Sequence, residues 1–252
     1  MRVLVTNDDG VGSEGLWALA RRVVDAGHEV VVAAPKQDMT GMGAALGGEL
    51  GTGGLRYEAH QRDDLEGAPC FAVEGPPALC VVLTQLGAFG DPVSVVASGV
   101  NPGANCGRAT LHSGTVGAAM TAANNGAHGI AVSQDADGRP YQWDTATHLV
   151  PEMIDRLVST EKGRRVVNIN APNLHLSEIG GVEITGLAKW GDSAGTLEEV
   201  EPGRLEFVRR PGARAPIEGT DHAAMRSGKI AVSELVGFRV ADSDLSLGAL
   251  SI

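Results

Sequence analysis

The first 35 residues constrain the fold of this chain more than any other stretch. Residues 2–6 are an apolar run, with Val3, Leu4 and Val5 in succession. Over 14–26, Leu16, Leu19, Ala20, Val23 and Val24 fall on the i, i+3, i+4, i+7, i+8 stripe of an amphipathic helix. Ser13 stands where an N-cap belongs, Glu14 suits the first turn, and Gly27 is a natural stop. A second apolar run, 30–34, ends at Pro35. Strand, helix and strand joined by short turns imply a parallel pair with a right-handed crossover.

The same alternation continues. Leu79, Leu83 and Leu86 predict a helix, 93–97 a strand, 115–124 a helix of small residues, and 130–133 a strand. Residues 143–158 carry Leu149, Val150, Met153, Ile154, Leu157 and Val158 on one helical face, and 166–169 reads as a further strand. This predicts an α/β fold, a Rossmann-like doubly wound and mostly parallel sheet. After about residue 180 the pattern changes. VEITGLAKWG, RLEFVRR and KIAVSEL read as strands with no long helix between them. The expected organisation is an α/β catalytic core over 1–180 and a β-rich extension over 181–252 that makes oligomer contacts and returns to the core. GGELGTGG (47–54) reads as a glycine-rich loop or hairpin turn.

Composition narrows the partners. A net charge of −11 with no basic stripe argues against a nucleic acid polymer, and a phosphate substrate would need a cation to offset repulsion. No apolar run approaches the ~20 residues of a membrane span. Cys70, Cys80 and Cys106 form no C-x-x-C pair. Together with a strand that follows Met1 at once, leaving no room for a signal peptide, they point to the reducing cytoplasm.

In an open parallel sheet, ligands bind beyond the carboxyl ends of the strands. Asn7-Asp8-Asp9-Gly10 follows the first strand, 35–41 the second, and Ser98–Asn105 the strand at 93–97. These turns offer carboxylate, hydroxyl and amide oxygens, a set suited to Mg²⁺, Mn²⁺ or Ca²⁺ rather than zinc. Adjacent carboxylates repel unless a positive charge lies near, although Asp-Asp-Gly also makes an ordinary Asx-capped turn. His112–Gly117 precedes a predicted helix and reads either as a phosphate cradle or as a plain N-cap. The second strand ends in Ala34-Pro35-Lys36, without the acidic residue a nicotinamide cofactor would want there, which argues against a dinucleotide site at the Gly10–Gly15 turn. There is no Walker A loop and no G-x-S-x-G elbow. His222 beside Asp221 stands out among the histidines, though packing is its commoner use.

Several of these segments, in order, resemble the SurE survival-protein family of metal-dependent 5′/3′-nucleotidases. They are NDDG after the first strand, the AP…TG loop, SGVNPGAN, SGTVGAAM, VVNINAPN (166–173) and GTDHAAMRSGKIAVSEL (219–235). The resemblance implies that Asp8, Asp9, Thr40 and Asn101 bind one divalent cation per subunit, Mg²⁺ or Mn²⁺, with Ca²⁺ as a substitute. It implies that Asn7, Gly41, Asn105, Ser113, Gly114 and Thr115 line a phosphate pocket, with Asp8 and Asp9 catalytic. It also implies a homodimer or homotetramer exchanging arms near 185–220. Departures from the family pattern are Thr40 in place of serine, the bare stretch 41–45, and Gly75–Cys80, which lacks a threonine and a carboxylate. They leave room for an unusual phosphomonoester substrate. Two rival readings are a non-catalytic nucleotide- or metal-binding protein and a sugar-transferase-like domain, the latter suggested by LARRVVDAGHEVVVAAP.

Overall fold

The computed structural model describes residues 1–47, 54–65, 67–161, 163–189, 193–211 and 215–237. The interior of the glycine-rich stretch at 47–54 lies outside them. In chain order the elements are β1 (Arg2–Thr6), α1 (Glu14–Asp25), β2 (Glu29–Pro35), β3 (Tyr57–Ala59), β4 (Cys70–Val73), α2 (Pro77–Gln85) and β5 (Val95–Pro102). Then come α3 (Gly114–Asn124), β6 (His128–Gln134), α4 (Trp143–Thr147), α5 (Val150–Val158), β7 (Val166–Ala171) and β8 (Val182–Ile184). The last described are β9 (Ser193–Glu201), β10 (Arg204–Pro211), α6 (Asp221–Arg226) and β11 (Ile230–Leu235).

Nine strands form one sheet in the order β3-β4-β2-β1-β5-β6-β7-β11-β8. From β4 to β7 every neighbour is parallel. At the ends, β3 runs antiparallel to β4 and β11 antiparallel to β7. The alternation of side chains across the pleat divides the core into two layers. Val3, Val5 and Val32 pack with Leu16, Leu19 and Val23 of α1 and Ile154 of α5. Leu4, Val31 and Val96 face the other way, onto Cys80 and Val81 of α2 and Ala118 and Ala122 of α3. The chain winds outward from β1 through β2 to β4, then restarts at β5 on the other side of β1. The switch point of the fold therefore lies between the carboxyl ends of β1 and β5.

The predicted doubly wound sheet is present, with three informative differences. The helix expected over 143–158 is two helices, because Pro151 has no N–H to offer the Thr147 carbonyl and its ring crowds that turn. β5 runs on to Pro102, with its register against β6 shifting between Ser98 and Asn101. Gly99 makes the shift possible: its φ is +135°, and a Cβ there would lie 2.3 Å from the Val132 carbonyl oxygen. Such an irregularity re-aims the residues beyond it, here Asn101. The short strands β3 and β4 were not legible from the pattern, since neither is long enough to establish a period. After residue 180, β8 and β11 join the main sheet, while β9 and β10 pair as a separate antiparallel hairpin.

Candidate active site

The turn after β1 is closed by Asn7, which is fully buried. Its Nδ2 donates to the Gly10 carbonyl at 3.2 Å, and its Oδ1 accepts from the Gly10 N–H at 3.2 Å. The turn is joined to the loop after β2 where the Met39 N–H donates to the Asp8 carbonyl at 2.7 Å. Two of the three predicted loops are thus tied together by backbone alone.

Asp8 points across the switch point to the start of α3. Its Oδ1 accepts from the Thr115 hydroxyl at 2.5 Å, and its Oδ2 from the Gly114 N–H at 3.1 Å. A Cβ on Gly114 would lie 2.7 Å from the Asp8 side chain, so only glycine permits this approach. Ser113 caps the helix, its hydroxyl accepting from the Val116 N–H at 3.1 Å. The helix start read from sequence as a phosphate cradle or N-cap thus directs donors to Asp8 and to Ser113. Burial raises the Asp8 carboxyl above its ordinary range, against the lowering effect of Thr115 and Gly114. The Thr115 hydroxyl also lies 3.3 Å from Asn101 Oδ1, while Asn101 Nδ2 donates to the Gly103 carbonyl at 2.6 Å.

Asp9 is treated differently. Its Oδ2 is buried and has no hydrogen-bond partner among the described residues. Burial first, then the charges of Asp8 and Asp38, push its carboxyl up to about 7. Asp38 in turn accepts from the Thr40 N–H at 2.8 Å and the Thr40 hydroxyl at 2.6 Å, contacts that hold the Asp38 carboxyl low. The Thr40 proton is thereby committed to Asp38, and the lone pairs of its oxygen stay available. Gly41, with φ +84°, continues that exposed loop.

Asn105 sits further along the rim. Its N–H donates to Asn170 Oδ1 at 2.8 Å, its Nδ2 to Ser133 Oγ at 2.9 Å, and its carbonyl accepts from Asn168 and Asn170. Asp8, Asn101, Gly114 and Thr115 therefore share one hydrogen-bonded network. Thr40 is linked to Asp9 through the field of Asp38, and Asn7 and Asn105 belong to separate local networks.

Among the described residues, no three histidine, cysteine, aspartate or glutamate side chains gather as a metal site. A cation at this rim must therefore combine the two carboxylates with neutral oxygens, and the side chains of Thr40 and Asn101 supply that type. The partnerless Asp9 oxygen, the like charges of Asp8 and Asp38 acting on it, and the oxygen-only donor set all fit a hard divalent ion. Sequence reasoning did not single out Asp38, although a carboxylate two residues before a threonine is an Asx-turn pattern.

Fold and rim together define a doubly wound α/β protein with an acidic, oxygen-lined rim at its switch point, the candidate ligand site. A family profile described as "Survival protein SurE" matches residues 3–193. A 5′-nucleotidase SurE of Dehalococcoides mccartyi is 36% identical over 243 residues, covering 93% of this chain and 88% of its own. One of Brucella suis is 36% identical over 247 residues, covering 93% and 92%. The crystal structure of the SurE protein from Aquifex aeolicus superposes with a TM-score of 0.77 at 27% identity, covering 93% of both chains. This chain belongs to the SurE family.

Proposed function

We propose that this protein is a divalent-metal-dependent phosphatase that hydrolyses nucleoside 5′- or 3′-monophosphates or a closely related phosphomonoester. The observation that carries the reading is the buried, partnerless Asp9 oxygen beside Asp8 and Asp38, at the switch point where ligands bind in this fold class. Such crowding has to be offset by positive charge. The relatives' 5′-nucleotidase designation agrees with it.

In this reading Asp8, Asp9, Thr40 and Asn101 hold one Mg²⁺ or Mn²⁺ per subunit; Ca²⁺ also suits their oxygens. When bound, the ion supplies Lewis-acid polarisation and charge neutralisation at the phosphoryl group. The chain's own residues do the rest. Thr115 and Gly114 fix the Asp8 carboxylate, so it needs no reorganisation during the reaction. Asp9, with one oxygen unengaged, orients the attacking water and takes its proton. Asn7, Gly41, Asn105, Ser113, Gly114 and Thr115 form the lining around the phosphoryl oxygens.

The segment 181–252 serves as the assembly arm of a homodimer or homotetramer, with 1–180 as the catalytic core. Leu197, Val200 and Leu205 leave apolar surface exposed on the β9–β10 hairpin, which supports this. Cys70 and Cys80 are buried free thiols, which supports a cytoplasmic location. Among the described residues no helix is long and apolar enough to cross a membrane.

The test is phosphate release from a panel of nucleoside 5′- and 3′-monophosphates, sugar phosphates and other phosphomonoesters, with Mg²⁺, Mn²⁺ or chelator. Release from nucleotides that requires added metal is expected. Undiminished release in chelator, or metal-dependent nucleotide binding with no release, would contradict the reading.

A further inference from the structure

Aromatic residues are 4% of this chain, which makes their placement informative. Most of the described ones are engaged away from the rim. Tyr57, Phe71 and Phe89 pack on one another beside β3 and β4, and Trp17 stacks on His60. Tyr141 and Trp143 form a separate stack, with centroids 4.4 Å apart and planes 16° from parallel. Tyr141 lies in the turn after β6. That turn begins one residue beyond Gln134, which pairs with Pro102; Ser133 pairs with Asn101. Tyr141 is the one Phe, Tyr or Trp in the described turns that leave the carboxyl ends of β1, β2, β5, β6 and β7.

The turn is held rigidly. Arg139 and Asp137 form an ion pair, and Asn173 Nδ2 donates to Asp137 Oδ1 at 2.8 Å. The Gln142 N–H donates to Asn173 Oδ1 at 3.0 Å, and Gln134 Nε2 to the Gln142 carbonyl at 2.9 Å. Thr145 Oγ1 donates to the Leu174 carbonyl at 2.9 Å. This clamp fixes a half-exposed aromatic face on the rim before any ligand arrives. Tyr141 also borders a cavity of about 330 Å³ between α1 and the start of α4. Burial, and then the charges of Asp9, Asp135 and Asp137, raise its phenol.

We propose that Tyr141, backed by Trp143, is the specificity-determining stacking wall for the nucleobase of the substrate, selecting phosphomonoesters whose alcohol portion carries a flat aromatic base. The inference rests on the phosphatase reading above. Its physical basis is that a pre-ordered aromatic face stacks on any base without further loss of conformational freedom. A fixed ring on the same edge of the sheet as the carboxylates contributes to binding of the nucleoside and leaves the chemistry at the phosphoryl group unchanged.

The experiment compares wild type, Tyr141→Phe, Tyr141→Leu and Tyr141→Ala on adenosine 5′-monophosphate and on ribose 5-phosphate, with Mn²⁺ present. Leucine keeps apolar bulk against Trp143, so its comparison with alanine separates stacking from packing. KM for the nucleotide should rise about tenfold in the leucine and alanine variants, with kcat changed less than about twofold. KM for ribose 5-phosphate should stay put, and phenylalanine should match wild type. Equal changes for both substrates, or an unchanged nucleotide KM in the alanine variant, would overturn the stacking role alone. Wild type that releases phosphate from ribose 5-phosphate and never from a nucleotide would overturn the stacking role while leaving a phosphatase. Wild type inactive on both would overturn the phosphatase reading itself, and the stacking role with it.

Discussion

Asp9 and Asp221 are both carboxylates drawn into the protein, and they are treated in opposite ways. Asp221 is fully buried at the start of α6, and its oxygens accept from three backbone N–H groups. Gly107 donates at 2.6 Å, Ala188 at 2.9 Å and His222 at 2.8 Å. It therefore binds the segment before α3 to the segment leading toward β9. Asp9 has a buried oxygen with no partner among the described residues and lies in the field of two like charges. A satisfied buried carboxylate is part of the architecture, whereas an unsatisfied ionised one is held at a cost that a bound cation can offset.

The sharpest way to break this comparison is to exchange the phenotypes. Asp9→Asn should lower kcat by 10²-fold or more while leaving the denaturation midpoint at or above that of wild type. Asp221→Ala should do the reverse: it strands three donors and should lower stability by about 3–5 kcal/mol, read by urea unfolding, with far smaller loss of turnover per folded molecule. A stability loss in Asp9→Asn matching that of Asp221→Ala would erase the distinction.

A smaller effect follows from the elevated Asp9 carboxyl. In the metal-free protein its folded value of about 7 lies above the ordinary 3.8. Its stabilising contribution is complete below the lower value and is lost as pH rises through the higher one. Chelator-treated Asp9→Asn should therefore melt a few degrees above chelator-treated wild type at pH 8, and the gap should close near pH 4. Adding Mn²⁺ at pH 8 should raise the melting temperature of wild type and leave that of Asp9→Asn unmoved.

The smallest effect is expected at Thr40. Thr40→Ser keeps the hydroxyl that donates to Asp38 and removes only a methyl from an exposed loop, so kcat/KM should stay within about threefold of wild type. A larger change would mean that the methyl itself shapes the site.

The sequence made one side of this comparison much easier to read than the other. Asp8 and Asp9 announce themselves, because adjacent carboxylates after a parallel strand are conspicuous without any coordinates. The β1–α1–β2 unit was equally legible, since its periods are long and Ser13 and Gly27 mark where α1 starts and stops, although the Ser13 side chain makes no capping hydrogen bond. The Asp221 hub was not. Its partners Gly107 and Ala188 are 114 and 33 residues away, and the bonds use backbone groups that leave no mark on side-chain identity. Asp38 escaped for a related reason: its effect on Asp9 comes from a turn folding back on the switch point. The pinning of the turn around Tyr141, through the bonds of Asn173 to Gln142 and Asp137, is likewise a contact between two strand ends. Local chemistry was readable, and what required the fold was the convergence of distant turns.

The central claim is that the rim carboxylates hold a divalent cation, and metal binding tests it without recourse to turnover. Free Mn²⁺ followed by electron paramagnetic resonance on the stripped protein should show one ion bound per wild-type chain. Binding should weaken by at least a hundredfold in Asp8→Asn and in Asp9→Asn, and persist in Asp38→Asn with a smaller loss. Wild-type affinity retained in Asp9→Asn would contradict the account.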